Sequence, residues 1–260
     1  MNFKESGRVE YECNILFELL CQVRFPEIMR ISQEQPAEFQ DIVRKEGYPE
    51  FESEVPVFPS DIPKELKEMI PIGKTFHFLS EERDLKVSLA NNFIAFTCNG
   101  NYINYADFRE KLENVLQIFS RIYEPSYFTR IGLRHKNVAN RTSVPLVERG
   151  VEAFIPEHIF PELATSIATD IETLQKVALF NDGNTKANVT HVLSEVSGRF
   201  RKKEFNEKSY IIDVDCFVES RIEGINNVLT KCDLFKQLNW NIFQWSITDE
   251  LRKAMGKSES

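Results

Sequence analysis

Alternation of apolar and polar residues with a period of two is the feature that most constrains this chain. Between Cys13 and Phe25, the residues Ile15, Phe17, Leu19, Cys21, Val23 and Phe25 share one parity, while Asn14, Glu18, Gln22 and Arg24 fall on the other. Successive side chains of a strand point to opposite faces, so the pattern predicts a half-buried strand. Pro26 ends it, because proline has no N–H to give to a ladder. The alternation returns over Tyr127–Ala139 and Tyr210–Val218, with shorter strand-like runs at Thr75–Ser80, Leu85–Ala90, Phe93–Cys98, Lys176–Phe180 and Asn188–Val196. The turn sequences Glu82-Arg83-Asp84 and Asn91-Asn92 separate the runs between 75 and 98, and connections that short force antiparallel neighbours.

Elsewhere the period changes. Phe39, Ile42 and Val43 follow helical spacing within 36–46, before Gly47 and Pro49. The five prolines of 49–73 predict loop, with at most a turn or two of helix around Pro63–Met69. Phe108, Leu112, Val115, Leu116, Phe119 and Ile122 form one stripe, with Asn104 placed to cap the helix N-terminus, Asp107 in its first turn and Pro125 closing it. A helical region broken by Pro156 and Pro161 is expected between 152 and 175, and helix again from Ile222 to Met255. The order strand, helix, three strands, helix therefore occurs twice. The expected fold class is α+β: antiparallel meander sheets covered by helices, in two pattern-related halves, 1–126 and 127–260, able to share one continuous domain.

Hydrophobic residues make up 42% and charged residues 28% of the 260, a balance that supports a packed core. Phenylalanine supplies 21 side chains that need no hydrogen-bond partner inside it. A net charge of −8 repels phosphate backbones and anionic membranes, so nucleic acid is disfavoured as a partner. The five cysteines, 13, 21, 98, 216 and 232, contain no pair at zinc or redox spacing. Cys21 and Cys216 occupy apolar strand positions, where a thiol acts as a small hydrophobe, and this argues for a reducing compartment. No apolar leader and no run of about 18 apolar residues is present, so the expected location is cytoplasmic, away from the membrane.

Four segments come in a recognisable order: Val23-Arg24-Phe25-Pro26, RIGLRHKN at 130–137, YIIDVDCF at 210–217 and IFQWSITDELRKAMG at 242–256. Together they resemble a sporadically distributed family of uncharacterised prokaryotic proteins of about this length. The resemblance covers nearly the whole chain and implies a bacterial or archaeal origin, but no particular reaction. Where that family often has Leu-His ahead of the last helix, this chain has Leu238-Asn239-Trp240, which removes any role for a histidine there.

Two clusters could carry chemistry. On the strand at 127–139, Arg130, Gly132, Arg134 and Lys136 share a face; a glycine between two guanidinium groups lets a ligand approach, and arginine suits carboxylate or phosphate. The competing view is a solvent face whose arginines pair with internal carboxylates. Asp213 and Asp215 share a face of another strand and could hold a divalent metal, although the sequence marks no third ligand. They could equally pair with Arg130 and Arg134, which would make all four one structural network. His77, His135, His158 and His191 fit no zinc motif, and each is expected to be packed or superficial. Arg199–Lys203 is expected to be a solvated hairpin, and Trp240 and Trp245 core anchors.

No nucleophile elbow, phosphate loop or dinucleotide fingerprint occurs, so no cofactor is expected. The leading expectation is a binding or regulatory module for a protein partner or a small anionic ligand. One alternative is an enzyme on a phosphorylated or carboxylated substrate, with the arginines as clamp and an aspartate as base. A further alternative, which rests only on the scattered distribution of the resembling family, is a component of a mobile defence or toxin–antitoxin locus.

Overall fold

The computed structural model describes residues 1–7, 9–54, 73–100, 104–144, 150–200 and 203–256. It is an α+β fold built on one antiparallel sheet of nine strands: β1 (Leu16–Arg24), β2 (Glu50–Glu54), β3 (Thr75–Leu79), β4 (Leu85–Ala90), β5 (Phe93–Asn99), β6 (Phe128–Ala139), β7 (Leu174–Asn181), β8 (Lys186–Phe200) and β9 (Lys203–Ile222). The spatial order is β2-β3-β4-β5-β1-β6-β9-β8-β7. β1 and β6 pair at the centre, and each is flanked by the last strand of a meander.

One row of aligned residues crosses the entire sheet: Phe51, Phe78, Val87, Phe96, Cys21, Leu133, Cys216, Ala187 and Phe180. It belongs to the face that the helices cover. Helix α1 (Met29–Gln33) and α2 (Ala37–Val43) lie at the β3 side, where Phe39 meets Phe78 with ring centroids 5.3 Å apart. Helix α3 (Tyr105–Tyr123) turns Phe108, Leu112, Val115, Leu116 and Phe119 inward; its cap is Asn104, whose Oδ1 accepts from the Asp107 N–H at 2.9 Å. Helix α4 (Ile225–Trp245) covers β6 and β9, and α5 (Asp249–Ala254) follows, with the Thr248 hydroxyl accepting from the Leu251 N–H. None of the helices among the described residues is long and apolar enough to cross a membrane.

Three expectations need correction. The stretch 152–175 holds no α-helix but three short 3-10 turns, Val151–Phe154, Pro161–Ala164 and Ala168–Asp170, because Pro156 and Pro161 interrupt any longer ladder. Glu50–Glu54, expected as loop, is an edge strand. Its glutamates hide the alternation, and Arg83, in the left-handed turn after β3, pairs with both Glu50 and Glu52. The helix expected at Pro63–Met69 lies outside the described residues.

The third correction concerns β8 and β9, which run far beyond 188–196 and 210–218 to form a long hairpin. Phe200 near its tip stacks on Phe17 of β1 with centroids 6.0 Å apart, although β8 and β1 are three strands apart. Neighbouring strands sit about 4.8 Å apart, so the hairpin bends over the helix-free face. There it closes a small apolar cluster of Val138, Phe200 and Phe205, joined by Phe17, Val196 and Ile211. Gly198 permits this bend, because a Cβ there would lie 2.9 Å from the Phe205 ring.

A buried polar chain ties β8 and β9 to the end of α4. The Tyr210 hydroxyl donates to the Ser246 carbonyl at 2.8 Å, leaving its oxygen to accept from His191 Nδ1 at 2.9 Å. His191 Nε2 is buried without a partner. Burial pushes the His191 pKa down to about 4, and the charge of Lys176 adds to the effect. The unfolded imidazole titrates near ~6.5, so the unfolded chain takes up protons first as pH falls. Stability therefore declines between about pH 6.5 and 4, by at most ~1.4 kcal/mol per pH unit for this residue. Urea midpoints measured across that window should fall more steeply for the native chain than for His191→Asn; equal slopes would show that His191 is not held neutral.

Candidate functional site

Strand β6 has two faces, and each carries a candidate. On the helix-free face, Arg130, Gly132, Arg134 and Lys136 stand opposite Glu219, Phe217, Asp215 and Asp213 of β9. The arginines bond diagonally instead of straight across. Arg134 Nε donates to Asp213 Oδ1 at 2.7 Å, and its Nη2 donates to Oδ2 of the same carboxylate. Those hydrogen bonds push the already basic guanidinium further up. Arg130 lies forward along the strand, over Gly132, to reach Asp215, with Nη2 to Oδ2 at 2.6 Å. Its guanidinium carbon sits 4.5 Å from the centre of the Phe217 ring.

Gly132 makes room for that path. A Cβ there would lie 2.6 Å from Arg130 Nη1 and 3.0 Å from Asp215 Oδ1. The space above this glycine is thus filled by the protein's own ion pair. Lys186 Nζ pairs with Glu219 at 2.8 Å, and Arg134 lies 3.8 Å from Glu18. The structure therefore brings all six sequence candidates together, with Asp213 and Asp215 taken up by the arginines. Among the described residues, no three His, Cys, Asp or Glu side chains gather as a metal site.

The Arg130–Asp215 pair is mostly buried, with side chains 15% and 26% exposed. Removing one partner strands the other in a poorly solvated place. Asp215→Ala should cost about 2 kcal/mol in urea unfolding, and Gly132→Ala should lose part of that by displacing the guanidinium. The paired replacement Arg130→Met with Asp215→Leu should recover most of the loss; strictly additive losses would show that the two groups do not interact.

The opposite face of β6 presents His135 and Asn137 to a cleft of about 860 Å³ that sequence reasoning missed. Its walls are the 9–16 segment, the start of α3 at Asn104–Ala106, and the α4 residues Lys236, Gln237, Asn239, Trp240 and Phe243. Lys236, Asn239, Trp240 and Phe243 follow helical spacing and so share one side of α4. The 9–16 segment is held by backbone bonds from Glu12 N to Gly256 O at 3.0 Å and from Cys13 N to Met255 O at 2.8 Å. Tyr11 hydrogen-bonds Gln244, and Trp240 Nε1 donates to Gly7 O at 3.1 Å.

At the floor of this cleft polar groups lack partners. Asn239, 2% exposed, donates its amide to Leu133 O at 3.1 Å and Phe235 O at 2.9 Å, while its Oδ1 is buried and unpaired. His135 Nδ1 is likewise buried and unpaired. Burial pushes the His135 pKa down to about 4; the neighbouring Asn239 opposes that shift and Lys236 adds to it, so the imidazole is neutral at pH 7. Asn239 is close enough to act on the ring as a side-chain hydrogen-bond partner, outside ideal geometry. Lys236 lies 5.5 Å from the centre of the Tyr105 ring and makes no ion pair with a described residue. Glu10, itself partnered, also lines the cleft.

The other histidines have structural settings. His77 contacts Ser88 and Glu54, and His158 packs on Trp245 with ring centroids 4.7 Å apart. Trp245 also meets Phe3 and Phe180. The cleft left a trace in the sequence, namely a histidine and an asparagine at core-facing positions, His135 and Asn239, but no local spacing links residues that β6, α3, α4 and the 9–16 segment bring together. Comparison with family models, curated proteins and solved structures gave no match to this chain.

Proposed function

We propose that the protein is a binding module for a small molecule held in the cleft between β6, α4 and the 9–16 segment. The observation that carries this reading is the convergence of His135, Asn239 and Lys236, whose ammonium has no carboxylate partner among the described residues, on one cavity of about 860 Å³. Small-molecule sites have about this size, with mostly apolar walls and a few converging polar groups. A lysine without a carboxylate partner among the described residues favours an anionic ligand.

In this reading the row of Arg130, Gly132, Arg134 and Lys136 serves the site from behind, by holding β6 in register against β9. For an enzyme with those arginines as substrate clamp, the guanidinium groups would first have to leave Asp213 and Asp215. We further read the chain as two pattern-related halves. Support comes from β1 and β6, each of which neighbours the last strand of its own meander, with a long helix after each meander.

A thermal-shift screen of the full chain against small metabolites tests the proposal. A ligand present at about a hundredfold its Kd adds ~2.7 kcal/mol and raises the melting temperature by roughly 5–10 °C. The shift should be lost in Trp240→Ala and survive in Arg83→Ala, far away on the β3–β4 turn. A panel with no stabilising compound, or a shift that persists in Trp240→Ala, contradicts the reading.

A further inference from the structure

We infer that the ligand of this cleft is a mononucleotide, with its base against the carboxamides and aromatic rings of the inner wall and its phosphate at Lys236. The inference rests on the cleft being the binding site and adds the class of ligand.

The carboxamides carry the argument. Among the described residues five line the cleft, and in four of them one end is already fixed. Asn14 Oδ1 accepts from Leu16 N at 2.9 Å and Asn104 Oδ1 from Asp107 N at 2.9 Å, so each leaves its NH₂ to donate. Gln237 Nε2 donates to Asn241 Oδ1 at 3.1 Å and so leaves a carbonyl to accept, while Asn239 Nδ2 donates to two backbone carbonyls and its Oδ1 is buried beside His135. Bonds to backbone N–H and C=O set the orientation of Asn14, Asn104 and Asn239. The wall thus offers both donors and acceptors at fixed places. Nucleobase edges alternate donors and acceptors in a plane, and carboxamide side chains read such edges in pairs.

Aromatic surface lies beside these groups. Trp240 is flanked by Tyr11 at 6.1 Å and Phe243 at 5.8 Å between ring centroids. A planar base lying on such a surface gains about 1–3 kcal/mol. A purely apolar ligand would leave the carboxamides unpaired. Lys236 is the one cation among the described lining residues and lies one helical turn, about 5 Å, from Trp240. Its ammonium meets no carboxylate of the described residues, so a phosphate would be its first ionic partner.

Isothermal titration of the full chain with AMP, GMP, CMP and UMP, with the matching nucleosides and with inorganic phosphate tests the assignment. At least one mononucleotide should bind, its nucleoside about tenfold more weakly, and inorganic phosphate weakest of all. Lys236→Met should weaken that nucleotide about tenfold and erase most of its advantage over the nucleoside. Lys231→Met, on the same helix but outside the cleft, should leave binding unchanged. Melting curves of both variants check that the fold is intact. If all four mononucleotides fail while another anion binds and Trp240→Ala abolishes it, the nucleotide assignment is overturned and the cleft remains the site. If a nucleotide binds equally well to native protein, Lys236→Met and Trp240→Ala, both the assignment and the cleft are overturned. Absence of binding by every compound also overturns both.

Discussion

The register of β6 between β1 and β9 is the constraint on which the rest depends. Leu133 stands opposite Cys21 on one side and Cys216 on the other, which directs Ile131, Leu133 and His135 toward the helices. Gly132, Arg134 and Lys136 then face the other way. A slip of one residue would exchange the two sets, burying guanidinium groups under α4 and exposing leucine and isoleucine. Such an exchange is strongly unfavourable, because a buried unpaired charge costs far more than the apolar contacts it would displace. The ion pairs reinforce the choice from the other face. Arg130 can reach Asp215 only because Gly132 leaves the path open.

The two faces of this strand therefore answer different needs. Behind it, cations and carboxylates neutralise one another across β6 and β9, which lets a half-buried polar surface persist without a partner. In front, α3, α4 and the 9–16 segment do not close completely over the sheet, and His135 and Asn239 stand side by side at the base of the gap. Native proteins leave few buried polar atoms unpaired. The site's polarity is thus an outcome of incomplete coverage at one place in an otherwise apolar core.

How much of this was legible follows from the range of each signal. Strands β1 and β6 and helix α3 were readable because their patterns are local: alternation on both strands, and a capped stripe from Asn104 to Pro125. The pairing of Arg130 and Arg134 with Asp213 and Asp215 could be framed as one option, since strand faces are predictable, but the choice needed the neighbour relation of β6 and β9. Strand β2 was hidden by its glutamates, which are stabilised by Arg83 from the following hairpin. The outer halves of β8 and β9 were hidden because their apolar partners, Phe17 and Val138, lie on other strands. The cleft was invisible for the same reason: its residues come from four segments that only the fold assembles.

The most direct test of this account is the titration of His135, followed by the imidazole NMR signals of the native chain and assigned by a His135→Gln variant. If β6 directs this side chain to the buried floor of the cleft, the ring stays neutral through pH 5 and protonates only near pH 4. A midpoint near ~6.5, the value of an imidazole in water, would place His135 in solvent and contradict both the register of β6 and the cleft built on it.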